Sequence, residues 1–249
     1  MLNRRIAALA LIGGLSLAVS AQAWNWGLSE RVKGSGEIGT EVRDLGAFDG
    51  ISLAGSFKVV VRQGAGTSLE VKADKNLLPL IETRVVESSK GRTLEIAPKK
   101  GYNLSSRTPP QITLEVAQLR KIAVAGSGDI RVEAMKTPSV DISIAGSGDV
   151  DLVDMTSDRL GLQVSGSGDV KARGRTGSLS LSVAGSGDVH ARELQADEVR
   201  ASIAGSGNAT VHAVKTLKIS IAGSGDIAYL GSPQVSSSIA GHGHITKLN

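Results

Sequence analysis

The sequence predicts an all-β chain wound for most of its length into a parallel β-solenoid, and three observations carry that prediction. A Gly-Ser-Gly tetrad closed by an acid or amide recurs at nearly constant spacing, apolar and polar residues alternate on both sides of it, and Gly reaches 31 of 249 residues without a collagen period. A helix would need apolar residues three and four apart, and the flanks of the tetrad lack that spacing.

The first element is a leader. Arg4 and Arg5 precede an uncharged run from Ile6 to Val19, and Ala21-Gln22-Ala23 follows. That order of charge, short apolar run and small residues is a secretory signal peptide over residues 1–23, cleaved after Ala23. The run falls short of the roughly 20 apolar residues of a spanning helix, and no later stretch supplies one. The mature chain is therefore expected to be exported, to the periplasm, the cell surface or beyond, with no transmembrane span.

Without Arg4 and Arg5 the 28 basic side chains fall to 26 against 24 acidic ones, so the net charge drops from +4 to +2. No Lys/Arg block stands out and the aromatics are two each of Trp, Tyr and Phe, which excludes a nucleic-acid binder. There is no cysteine, hence no disulfide and no thiol chemistry.

Residues 24–47 form an N-terminal segment with one degenerate coil at Gly34-Ser35-Gly36-Glu37. Residues 48–121 hold a second degenerate turn, Gly55-Ser56-Phe57-Lys58, and hairpins that cap the front of the rod. Phe57 to Arg62 with Ser68 to Ala73 reads as one hairpin, and Arg84 to Val86 with Thr93 to Ala97 as another. Asp74 to Pro79 reads as a single helical turn, and Pro109-Pro110 as a break before Ile112 to Val116. Residues 122–247 are the regular coils.

In those coils the turn column comprises Gly126, Gly128 and Asp129; Gly146, Gly148 and Asp149; Gly166, Gly168 and Asp169; Gly185, Gly187 and Asp188; Gly205, Gly207 and Asn208; and Gly223, Gly225 and Asp226. Gly241-His242-Gly243-His244 is a last variant. The first glycines are 18 to 20 residues apart, so each repeat is one structural unit. An apolar residue stands two before each first glycine, four before it in every coil but the last, which has Ser237, and six before it from the second repeat on, as in Ile144, Ile142 and Val140, with mostly polar ones between them, the period of a half-buried strand. Another apolar residue follows each acid, from Ile130 to Ile245. A unit this short cannot bury its apolar face alone, so successive units stack at about 4.8 Å per coil, with two or three short strands each. The glycines then serve the turn, through a positive φ or close approach of the neighbouring coil.

Phe48-Asp49-Gly50-Ile51, Gly55 to Val59, Gln63-Gly64, Leu77-Leu78, Thr93 to Ile96, Ile112 to Leu114 and then the Gly-Ser-Gly-Asp series resemble, in that order, the head GIN domain of putative autotransporter adhesins (DUF2807). The resemblance covers about residues 40 to 247, making 48–247 a GIN-type domain. It implies a right-handed parallel β-helix with an N-terminal hairpin cap, related in shape to pectin lyases without their catalytic residues. It also implies a role in adhesion, by analogy of fold.

Among candidate sites the acidic column comes first. Carboxylates about 4.8 Å apart repel by on the order of 1 kcal/mol per pair in water, so they need compensation. One reading has each Asp accept backbone N–H groups in its own turn, as Asn208 also can. The other makes Asp129, Asp149, Asp169 and Asp188 calcium ligands, although known calcium rolls use a shorter Gly-Gly-x-Gly-x-Asp repeat. His242 and His244, with His190 and His212 elsewhere, lack the further ligands of a zinc site, and read as replacements in a less constrained terminal turn. Trp24 and Trp26 read as a tether, part of the cap, or an anchor on sugar or membrane. No serine sits in a nucleophile motif, and repeated Asp residues share one environment where catalysis needs carboxylates in different ones.

These residues point to a non-enzymatic interaction or adhesion module without cofactor or metal. Its expected partner is an envelope protein or a surface glycan, and not nucleic acid. The C-terminal coil is expected to contact a second copy or another envelope protein. A periplasmic binder of polysaccharide or cations stands second, and a carbohydrate-processing enzyme third.

Overall fold

The computed structural model describes residues 29–66, 68–88 and 91–249; the leader, its cleavage point, Trp24 and Trp26 lie outside them. In chain order the elements are β1 (Glu30–Lys33), β2 (Ile38–Asp44), β3 (Gly50–Ala54), β4 (Lys58–Gln63) and β5 (Ser68–Asp74), then a 3-10 turn at Leu78–Leu80. After the turn come β6 (Ile81–Ser88), β7 (Gly91–Pro98), β8 (Tyr102–Ser105), β9 (Gln111–Val116) and β10 (Lys121–Gly126). The regular array is β11 (Asp129–Gly146), β12 (Val150–Gly166), β13 (Val170–Gly185), β14 (Val189–Gly205) and β15 (Ala209–Gly223), closed by β16 (Ile227–Leu230), β17 (Gln234–Gly241) and β18 (Ile245–Lys247). The fold is all-β, built of stacked parallel coils.

Apolar residues recur at alternate positions, and stacking sets equivalent ones above one another. Ile122, Ile142, Leu162, Leu181, Ala201 and Ile219 make one inward column, and Ile130, Val150, Val170, Val189, Ala209 and Ile227 another, each residue no more than 4% exposed. Burying each large aliphatic contributes roughly 1.5–3 kcal/mol. In the last coil other inward positions open: Val235, stacked on Leu217, is 39% and Ile239, stacked on Ile221, 44% exposed.

The regular coils differ from the expected two or three short strands. Each is one strand of 15 to 18 residues, interrupted only at the glycine turn. The chain bends without losing its partner, because the neighbouring coil bends with it. Differences in coil length are absorbed at register shifts, between Leu152 and Met155, Lys171 and Arg173, Ala191 and Gln195, and Ala196 and Glu198. At an inward corner Thr137, Ser157 and Thr176 are buried hydroxyls. The Thr137 hydroxyl donates to the Leu119 carbonyl at 2.9 Å, Ser157 to Thr176 at 3.0 Å, and Thr176 to the Ser178 carbonyl at 3.1 Å, so the corner leaves none of them unpaired.

The front end departs from sequence order. β3 pairs in parallel with β10 on one edge and with β7 on the other, while β4 lies between β11 and β9. Thus β7 and β9, later in the chain, stack outside the coil formed by β3 and β4. The Gly55 turn is a true coil turn, directly beneath Gly126. The proposed coil at Gly34-Ser35-Gly36-Glu37 is not one, for it leads into β2, which runs antiparallel to β5. Asp74, 2% exposed, holds that segment by accepting the Gly36 N–H at 2.6 Å and the Ser106 hydroxyl at 2.5 Å; Asn76 accepts the Ser35 N–H at 2.9 Å. The hairpin expected from β4 and β5 is also absent, because β9 takes the place between them. The hairpin of β6 and β7 is present, in register from Ile81 opposite Pro98 to Ser88 opposite Gly91.

Candidate functional site

Two outward features contain the chemistry-bearing residues: the glycine turns with their acidic column, and a groove on the flank just before those turns.

At the turns the first glycine adopts a positive φ, 131° at Gly146, and a Cβ there would collide with the Gly126 carbonyl oxygen below. The second glycine, such as Gly148, is required by close approach alone, since its Cβ would strike the Gly128 carbonyl. The N–H groups of a turn point along the rod, so their acceptors lie on the neighbouring coil. Ser167 N–H donates to the Gly146 carbonyl at 2.9 Å, and Ser186 and Ser206 repeat the bond one coil further each time.

The acidic column follows the same direction, which corrects the reading that each carboxylate serves its own turn. Asp149 Oδ1 accepts the Asp169 N–H at 2.9 Å, Asp169 Oδ1 that of Asp188 at 2.9 Å, and Asp188 Oδ1 that of Asn208 at 2.8 Å. The ladder continues through Asn208 to Asp226 at 3.1 Å and through Asp226 to His244 at 2.8 Å. Lys58, Arg131 and Lys171 flank Asp129, Asp149, Asp151 and Asp169, and Asp151 is ion-paired with both Arg131 and Arg173. No group of three or more His, Cys, Asp or Glu placed to hold a metal occurs among the described residues. The imidazole Nδ1 of His244 lies 3.3 Å from Asp226 Oδ1.

The groove, about 650 Å³, was not anticipated from the sequence. Its floor is a column of outward residues from six adjacent strands: Thr93, Gly50, Lys121, Asp141, Gly161 and Ser180, each paired in register with the next. Ser143, Gln163 and Ser182, two residues further along their strands, form one wall. At one end Arg120 is ion-paired with Asp49, and its N–H donates to the Asp49 carbonyl at 2.7 Å. Gly161 leaves a notch in the column, and the Asp141 carboxylate lies across it, where a Cβ at 161 would meet Asp141 Oδ1.

Within the described residues no side-chain hydrogen bond or ion pair engages Asp141, Gln163, Ser180 or Ser182, whereas most acids on the other faces are paired. The groove thus offers a carboxylate acceptor, an amide and several hydroxyls on a rigid sheet. The signal in the sequence was the pair of departures Gly161 and Gln163, at positions where the other regular coils from β11 to β15 carry Asp, Ser, Arg or Lys in the first case and Ser in the second.

Comparison with known proteins agrees with this architecture. The profile described as putative auto-transporter adhesin, head GIN domain, matches residues 47–233. A crystal structure of a putative adhesin from Bacteroides fragilis is 27% identical, covering 87% of this chain and all of that one, with a TM-score of 0.79. A putative lipid binding protein from Parabacteroides distasonis is 30% identical over 88% of this chain and all of that one, with a TM-score of 0.73. A putative adhesin from Parabacteroides merdae, 22% identical, shares the fold over 88% of this chain and 99% of its own, with a TM-score of 0.69. No curated protein matches the chain significantly. With its stacked coils, its glycine turns and a profile match over most of its length, the chain belongs to the head GIN domain family of putative autotransporter adhesins.

Proposed function

We propose that this adhesin-like module works outside the cytoplasm, without catalysis, by docking a surface glycan in the groove over Asp141 and Gly161. The observation that carries the reading is the set of unengaged polar groups, Asp141, Gln163, Ser180 and Ser182, held on one rigid face. Such groups hydrogen-bond to sugar hydroxyls without having to reorganise, which keeps the cost of binding low. Chemistry would require titratable groups in contrasting environments. The turn carboxylates instead repeat one environment from coil to coil, with Asp149, Asp169, Asp188 and Asp226 given over to the ladder.

The name of the Parabacteroides distasonis protein raises lipid as a ligand. In this chain the rod interior is filled by buried side chains, so the outer surface is where a ligand would sit. Glycan-array binding of the purified mature protein, with attachment of cells displaying it, tests the reading. Loss of both in an Asp141→Ala, Gln163→Ala double variant with wild-type thermal unfolding supports it. Attachment that persists in that variant would overturn it.

A further inference from the structure

The groove runs along the rod rather than around it, and that direction constrains what fits. Its floor takes one residue from each of six stacked strands, so it is about five steps of ~4.8 Å long, on the order of 24 Å. A compact ligand would need a rounded bowl. A polymer lying along the axis would meet one new rung per coil, and that rise is close to the length of one sugar in an extended, equatorially linked chain.

A second observation concerns registration. The coils differ in length, yet every register shift lies after the turn, between Leu152 and Met155 and at the equivalent bends. From Val140 to Gly146 and its equivalents through Leu217 to Gly223 the strands pair without a slip. The flank that forms the groove is the part of each coil that stays in step. Polar groups on it therefore repeat at a fixed interval, as Ser143, Gln163, Ser182, Ser202 and Ser220 do.

Charge selects among polymers. Arg120 is neutralised by Asp49, which leaves Lys121 and Asp141 as the opposed charges of the floor, and the wall of Ser143, Gln163 and Ser182 is neutral. An anionic polymer would meet the Asp141 carboxylate at mid-groove. From this geometry, and resting on the glycan reading above, we infer that the ligand is an extended β-1,4-linked polysaccharide of neutral or N-acylated sugars, bound parallel to the rod axis at about one sugar per coil.

The test is a chain-length series measured by calorimetry on the purified mature protein: β-1,4-linked glucose and N-acetylglucosamine oligomers of about two, four and six units, with an oligouronate as the anionic control. Affinity should rise by about tenfold or more from two units to six, with the oligouronate weakest. Gly161→Gln, which fills the notch and needs only the flexible Asp141 carboxylate to move aside, should weaken the longest oligomer by about tenfold while thermal unfolding stays near wild type. Asp141→Asn should bring the oligouronate up to the neutral oligomers, and Lys72→Gln on β5 should change nothing. Equal affinity for two and six units, with Gly161→Gln still damaging, would overturn the axial mode and leave a local glycan site standing. Failure of every oligomer to bind, with cell attachment intact in Gly161→Gln, would overturn the glycan reading itself. A dimer seen in sedimentation that Gly161→Gln abolishes would mean that the face packs against a second copy, and would overturn both.

Discussion

At the scale of single residues, the turn column separates positions that look alike. Ile144 is 2% exposed in a column of aliphatics, so Ile144→Asp places a carboxylate where no partner exists. It should cost upwards of about 4 kcal/mol and unfold or loosen the rod, as read by thermal unfolding. Asp149→Asn keeps an oxygen for the Asp169 N–H, as Asn208 already does for Asp226, and should stay within about 1 kcal/mol of wild type. Comparable losses for the two would mean that inside and outside are exchanged. Asp74 is the residue whose weight could not be read from the sequence. It ends a strand and precedes a turn like many surface acids, yet it is buried and ties together two segments far apart in the chain. Asp74→Ala leaves the Gly36 N–H and the Ser106 hydroxyl without their acceptor, and should cost about 1–3 kcal/mol in denaturant unfolding.

At the scale of elements, the front edge of the rod is protected by charge. Arg43 on β2 donates to the Ile81 carbonyl at 2.7 Å, the Leu78 carbonyl at 2.9 Å and the Thr83 hydroxyl at 3.1 Å, while Glu41 pairs with its guanidinium. The side chain thus fastens the antiparallel edge to the 3-10 turn and β6. Arg43→Ala should speed hydrogen exchange over residues 38–44 and 78–83 and leave β12 to β14 unchanged. The Arg43 hydrogen bond, with its charge, holds the Glu41 carboxyl below its ordinary value. A lowered folded value means that the contact contributes above the unfolded carboxylate range and is lost as pH falls through the folded one. Protection factors over residues 38–44, which divide out the intrinsic slowing of exchange in acid, should therefore fall as pH drops through and below the ordinary carboxylate range, and Glu41→Gln should remove that dependence.

At the scale of the whole molecule, the order of coils is the feature most open to direct test. Ser52 on β3 stands beside Glu95 on β7 in a parallel, in-register pair, although 43 residues separate them in sequence. The chain has no cysteine, so a Ser52→Cys, Glu95→Cys pair introduces the only thiols. Neighbouring parallel strands bring the Cα atoms within disulfide range, and oxidation should cross-link the pair in the folded protein. Failure to cross-link, with the fold intact by circular dichroism, would mean that β7 does not stack outside β3.

The repeat alone determined the parallel stack, its inward columns and the glycine turns. Each rests on local chemistry that recurs every 18 to 20 residues: alternation sets the faces, and Gly-Ser-Gly sets the turn. Tertiary structure decided three things. Residues 93–116 lie outside the coil of residues 50–63, because the free edges of β3 and β4 accept whichever strands present matching apolar alternation, and sequence order does not restrict that choice. The Asp column serves the next coil, because turn N–H groups point along the axis, a direction that exists only after stacking. The groove arises where Gly161 falls between Asp141 and Ser180, residues 20 and 19 positions away along the chain, and only pairing of the coils turns those distances into contact.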